Sequence, residues 1–250
     1  MSTATTTAPV FDPAAVRVLL CDADGNLFPS EDLAFLASAD VTNCCLAELG
    51  VDRTFDAEEL RLAATGKNFR STIAELARDN GATDTLTPER LQWWGDEEQR
   101  AVAAYLGEQL EHDPRVAEPL TRMAERFGLA IVSSSALPRL DACFRATGLA
   151  TLFPAEHRYS AEDSLPEPTS KPDPAVYLHA GRALGVSGAE GLAIEDSVPG
   201  ATSAVAAGFP TIGNLLFVRE DEREERRAQL EAVGVAAIVS SWAELETLLR

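Results

Sequence analysis

Asp22-Ala23-Asp24-Gly25 sets two carboxylates two residues apart, and on an extended backbone both point to the same side. Two acids that close do not ionise independently, and the arrangement is unfavourable unless a cation shares it. A second acidic pair, Glu195-Asp196, lies far away in the chain. Brought together, the two pairs offer the hard oxygen donors that Mg²⁺ takes, with water and phosphate oxygens completing its octahedron. The alternative reading is that Asp196 or Ser197 caps a helix starting at Pro199. Ser133-Ser134-Ser135 supplies hydroxyls and N–H groups for a phosphate-sized anion, or simply caps a helix. Lys171, in Ser170-Lys171-Pro172-Asp173-Pro174, is either a solvated loop lysine or a compact point charge that neutralises carboxylates and phosphate.

These residues need elements to place them, and the sequence supplies a regular set. Val16 to Cys21 is a near-continuous apolar run ending at Asp22, the pattern of a strand buried on both faces of a parallel sheet. Similar runs at Leu129 to Val132, Leu192 to Ile194, Pro210 to Ile212 and Val235 to Val239 are separated by helical patterning. Val116, Leu120, Met123 and Phe127 recur at helical spacing before Gly128, a C-terminal stop. Asp173-Pro174 opens a helix to about Gly185, and Ser241-Trp242-Ala243-Glu244 reads as the capping box of the last one. Alternating strand and helix predict a doubly wound parallel α/β sheet, and three of the four chemical stations fall at strand ends, where such sheets bind ligands.

The stretch from 29 to 112 breaks the alternation. Helices are expected over Ser30 to Leu49, Asp56 to Ala64, Phe69 to Asp79 and from Thr87-Pro88 to about Leu110, closed by Gly50, by Asn80-Gly81 and near His112. Residues 10–28 and 113–250 then form the sheet domain, 29–112 a helical lobe, and 1–9 a frayed Ser/Thr/Ala-rich tail. Within the lobe, Thr65 to Arg70 joins two helices and carries Lys67, Asn68, Phe69 and Arg70, which suits an oxygen-rich phosphorylated metabolite. The alternative is a helix start with Lys67 and Arg70 in solvent. Trp93-Trp94 is expected to pack the lobe, and the charged run Arg219 to Arg227 to be a solvated helix face.

Composition narrows the partners. The 250 residues are 46% hydrophobic and 24% charged, an ordinary globular balance. A formal net charge of −19 repels phosphate backbones and anionic lipid, so neither nucleic acid nor membrane is expected as partner. Four cysteines without a C-x-x-C pair, and no apolar span or leader, read as a cytoplasmic protein. The choice between monomer and homodimer is left open by the sequence. His112, His157 and His179 show no ligand spacing for zinc.

Asp22-Ala-Asp24-Gly-Asn26, Ile131-Val-Ser133, Lys171-Pro-Asp-Pro and Ile194-Glu195-Asp196-Ser197-Val-Pro-Gly200, in that order, resemble the four motifs of the haloacid dehalogenase-like (HAD) superfamily over about residues 16 to 217. The resemblance implies a Rossmann-like core with an inserted helical cap, as in the β-phosphoglucomutase and phosphoglycolate phosphatase group. It implies Asp22 as nucleophile forming an aspartyl-phosphate and Asp24 as acid/base. Ser133 and Lys171 would hold phosphate oxygens, with Ser134 beside them in the hydroxyl run. Mg²⁺ would be held by the Asp22 carboxylate, the Asp24 main-chain carbonyl and Asp196, with Glu195 direct or through water. The expected activity is a Mg²⁺-dependent phosphatase acting on a small phosphorylated metabolite, a sugar phosphate or phosphoglycolate-like. The rivals are a phosphomutase, a dehalogenase and a non-catalytic phospho-ligand binder. Mutase relatives carry a histidine about ten residues after the second aspartate, where this chain has Ala34. Asn26 stands where Thr or Val is usual.

Overall fold

The structure, a computed structural model, describes residues 11–64 and 68–250. The chain divides into two compact units, one made of the chain up to Pro29 with Glu111–Arg250, the other of Ser30–Leu110. The terminal tail expected over 1–9 lies outside the described residues.

The larger unit is built on six parallel strands, β1 (Val18–Cys21), β2 (Gly128–Ser133), β3 (Arg158–Ser160), β4 (Gly191–Glu195), β5 (Thr211–Asn214) and β6 (Ala237–Val239). Their order is β3-β2-β1-β4-β5-β6, the doubly wound Rossmann order. Register fixes the chemistry. Cys21 lies opposite Ile131 on one side and Ile194 on the other, so Asp22 emerges level with Val132 and Glu195 at the carboxyl edge of the sheet. β1 is central, and Leu19, Leu20 and Cys21 are fully buried, as its apolar run requires. Leu20, Ala130, Val132 and Ala193 pack on one face against Val176, Tyr177, Ala180 and Ala204.

The helices of the smaller unit are α1 (Ser30–Glu48), α2 (Ala57–Ala63), α3 (Phe69–Asp79) and α4 (Pro88–Gln109). Asp56 and Glu59 form a capping box on α2, and Thr87 with Pro88 opens α4. Cys45, Ile73, Ala77 and Trp94 pack in the core of this unit, while Trp93, stacked edge-on against Trp94, is half exposed.

In the larger unit the helices are α5 (Pro114–Met123), α6 (Leu137–Thr147), α7 (Ala175–Leu184), α8 (Val198–Ala206), α9 (Arg223–Val233) and α10 (Trp242–Leu248). Several expectations shift. α5 stops at Met123 and not at Phe127, and Gly128 opens β2 instead of closing a helix, its main-chain N–H bonded to Arg17 O. α7 begins one residue past Pro174, though the Asp173 carboxylate does accept from Ala175 N–H. At α10, Ser241 accepts from Glu244 N–H, but the Glu244 carboxylate takes Ser240 N–H, so the box is offset by one residue. Cys21, Cys45 and Cys143 are buried, Cys44 is exposed, and none is in a disulfide. No helix among the described residues is long and apolar enough to cross a membrane.

Candidate active site

Asp22 leaves β1 while its main-chain N–H makes one more ladder bond to Ile194 O, which holds its carboxylate beside Glu195. Lys171, on the segment between β3 and α7, reaches in from the side. Its Nζ donates to Asp22 Oδ1 at 2.5 Å, to Glu195 Oε1 at 2.6 Å and to Val132 O at 2.7 Å. The ammonium is therefore held by three acceptors and nearly buried, not the solvated loop lysine of the alternative reading. Tyr177 on α7 donates its hydroxyl to the same Glu195 Oε1 at 2.5 Å. Burial raises the Tyr177 phenol well above its ordinary value, and Glu195 and Asp22 add to this, so it remains a donor.

Acidic oxygens of Asp22, Glu195 and Asp196 lie within 4.8 Å of one another, all three residues buried. Burial lifts the Asp22 carboxyl to about 8; Lys171 opposes the rise and Glu195 adds to it. Burial would lower the Lys171 ammonium, but Asp22 and Glu195 more than offset this and hold it above the ordinary lysine range. Two of these three buried carboxyl groups, those of Asp22 and Glu195, thus share the Lys171 ammonium. Glu195 Oε2 has no hydrogen-bond partner among the described residues. A small divalent cation with oxygen preference fits this donor set, since it would supply the missing positive charge and return Asp22 to its ionised form.

Two glycines make room for the acids. A side chain at Gly25, whose φ is +73°, would place its Cβ 2.5 Å from Asp196 Oδ2, and one at Gly200 would overlap Glu195 Oε2. Asp196 is not the cap of α8; Ser197 is, accepting from Gly200 N–H. Arg226 on α9 donates to Asp196 O at 2.8 Å and approaches its carboxylate at 4.0 Å. The run Arg219 to Arg227 is thus not wholly a solvated face, because one of its arginines turns in to the cluster.

Asp24 sits apart from the three acids. Ser135 Oγ donates to its Oδ2 and Arg139 Nη2 to its Oδ1, each at 2.6 Å. The serine run does not cap α6, whose N-cap residue is Ala136 without a side-chain bond. Ser133 is buried and accepts from Ser135 N–H, and Ser134 Oγ accepts Lys171 N–H at 3.1 Å, so the run braces the loops at this edge. In the helical unit, Asn68 caps α3 by accepting from Ser71 N–H, and Arg70 lies over Gly95 with Asp96 at 3.7 Å. Lys67 lies outside the described residues.

Sequence reasoning passed over Arg139, Tyr177 and Arg226. Each is a single side chain inside an otherwise ordinary helix, with no motif spacing to mark it. Ser135 was visible only as the third member of a triplet.

Fold and cluster together define an α/β enzyme whose chemistry is set by carboxylates at the carboxyl edge of a parallel sheet. The model of the haloacid dehalogenase-like hydrolases matches residues 16–208, and the chain belongs to that family. The match makes it a hydrolase of the HAD type. It is similar to the protein CbbY of Cereibacter sphaeroides, 29% identical over 235 residues that cover 92% of this chain and 94% of the relative. A variant of CbbY from Rhodobacter sphaeroides, solved in complex with xylulose-(1,5)-bisphosphate, is 26% identical and covers 92% of this chain and 96% of its own, with a TM-score of 0.68. A HAD family hydrolase of Deinococcus radiodurans R1, solved with phosphate and sodium, is 28% identical over 94% of this chain and 96% of that one, with a TM-score of 0.62.

Proposed function

We propose that this chain is a Mg²⁺-dependent phosphatase that hydrolyses a small phosphorylated metabolite of the sugar-phosphate class through an aspartyl-phosphate. The observation that carries the reading is the Asp22–Lys171–Glu195 contact at the tip of β1, with Asp196 beside it. The xylulose bisphosphate bound by the CbbY variant supports the substrate class.

A carboxylate attacking a phosphate dianion meets like-charge repulsion, so the reaction depends on positioning and neutralisation. Asp22, Glu195 and Asp196, with the Asp24 carbonyl, would hold Mg²⁺, which when bound neutralises phosphoryl oxygens. An Asp22 Oδ attacks phosphorus and forms the acyl phosphate as the ester P–O bond breaks. Asp24 gives its proton to the departing alcohol. Water then attacks the acyl phosphate, Asp24 takes a proton from it, and inorganic phosphate leaves with Asp22 regenerated. Lys171 and the hydroxyls and N–H groups of Ser133 and Ser134 hold the phosphoryl oxygens. Asp24 accepts from Ser135 on one oxygen and from Arg139 on the other, and because the Ser135 hydroxyl can accept as well as donate, Oδ2 can carry the proton with that partner retained. In this reading the helical unit is the cap, and residues 65–70, with Lys67, Asn68 and Arg70, choose the substrate. Ala34, in place of the mutase histidine, favours water as acceptor.

The test is phosphate release from a panel of phosphorylated sugars and phosphoglycolate with and without MgCl₂. Release that needs Mg²⁺ and is lost in Asp22→Asn is expected. Silence of the wild type across the panel would overturn the reading in favour of a binding protein.

A further inference from the structure

The residue that departs from the family pattern occupies the interior of the site's foundation. Asn26 is fully buried, and both amide protons and the oxygen of its carboxamide are hydrogen-bonded. Nδ2 donates to Asp22 O at 2.9 Å and to Ile194 O at 3.1 Å. Oδ1 accepts from Asn214 Nδ2 at 2.8 Å, and the Asn26 main-chain carbonyl accepts from Trp242 Nε1 at 3.1 Å. Asn214 is also buried, at the end of β5, and its own Oδ1 takes Leu216 N–H at 3.1 Å. The amide orientations are therefore mutually determined: two donors face two carbonyls, and the remaining oxygen faces a donor.

The two carbonyls matter because of what they adjoin. One belongs to Asp22, the other to the residue before Glu195, so the amide spans the tips of β1 and β4 one step beyond the last ladder bond, Asp22 N–H to Ile194 O. A threonine hydroxyl has one proton to donate and cannot hold both carbonyls; a valine holds neither.

We infer that Asn26, locked by Asn214, is a positioning residue that sets the spacing of Asp22 from Glu195 and Asp196 and thereby the affinity of the acidic cluster for its cation. Partners that orient ligands from behind typically change metal affinity about 10–100-fold when removed. The inference rests on the proposed function only in taking Mg²⁺ as the cation.

The test is calorimetric titration of the full chain with MgCl₂ alone, in wild type, Asn26→Thr, Asn214→Thr and the double variant. About 10-fold or greater weakening is expected for Asn26→Thr, with unchanged stoichiometry. A smaller shift in the same direction is expected for Asn214→Thr, and the double variant should be no weaker than Asn26→Thr alone. Should Asn26→Thr fail to fold, Asn214→Thr carries the test, since it removes the lock and leaves the amide. A merely structural role lowers the folded fraction, and so the stoichiometry, at an unchanged dissociation constant; that result would overturn the inference. So would wild-type affinity in the variants. Absence of Mg²⁺ binding by the wild type would instead overturn the proposed function, and this inference with it.

Discussion

At the scale of residues, the centre is a charge-balance problem, and its solution is testable. Among the described residues, Lys171 is the one buried cation bonded to both Asp22 and Glu195. Removing one partner of a buried ionic group leaves the others uncompensated, at a cost of about 3–5 kcal/mol. Lys171→Met should therefore lose most of that amount in urea unfolding, and MgCl₂ should restore part of it. The Asp22 carboxyl gives a second outcome. Folding without a cation raises it from 3.8 to about 8, so the folded protein binds this proton more tightly than the unfolded chain does. Its contribution to stability is full below the unfolded value and is lost as pH rises to about 8. In EDTA the urea midpoint of the wild type should thus fall more steeply between about pH 5 and 8 than that of Asp22→Asn; parallel slopes would contradict the shift. The motif carboxylates, the lysine and the serines were legible because their spacing and their place after apolar runs are written in the chain. Arg139, Tyr177 and Arg226 were not, because each reaches the site through the packing of a helix whose own sequence says only that it is a helix.

At the scale of elements, the four-residue β1 and the tight turn after it decide whether the acids converge. Gly25 adopts a left-handed conformation while Asp196 crowds the place where a Cβ would stand. Gly25→Ala should cost about 1–2 kcal/mol from the backbone alone and displace Asp196 as well. Equilibrium unfolding would show the first effect and Mg²⁺ titration the second; a variant unchanged in both would refute the crowding. Most helices of the smaller unit were readable to within a residue, because proline, glycine and capping side chains mark their ends. β3 was missed for the converse reason. Arg158-Tyr159-Ser160 has no apolar run and no alternation of its own; it becomes a strand by pairing with β2, while the Arg158 guanidinium donates inward to Phe153 O and Asp141. The end of α5 was misplaced because Phe127 keeps helical spacing although its backbone has already left the helix.

At the scale of the whole molecule, a net charge of −19 opposes the approach of an anionic ester, and the local cations act only at short range. With Mg²⁺ saturating, kcat/KM for p-nitrophenyl phosphate should rise as NaCl is increased from about 10 to 150 mM, as screening relieves the repulsion. A fall would mean that the field around the acidic cluster is attractive. The placement of the thiols has a practical outcome as well. Three of the four are sealed in packed interiors, and Cys44 alone meets solvent, on α1 of the smaller unit. A maleimide dye added to the native enzyme should couple once, and four times after denaturation. The protein thus arrives with a single chemical handle already installed on its helical unit, where a fluorophore can be attached without engineering the chain.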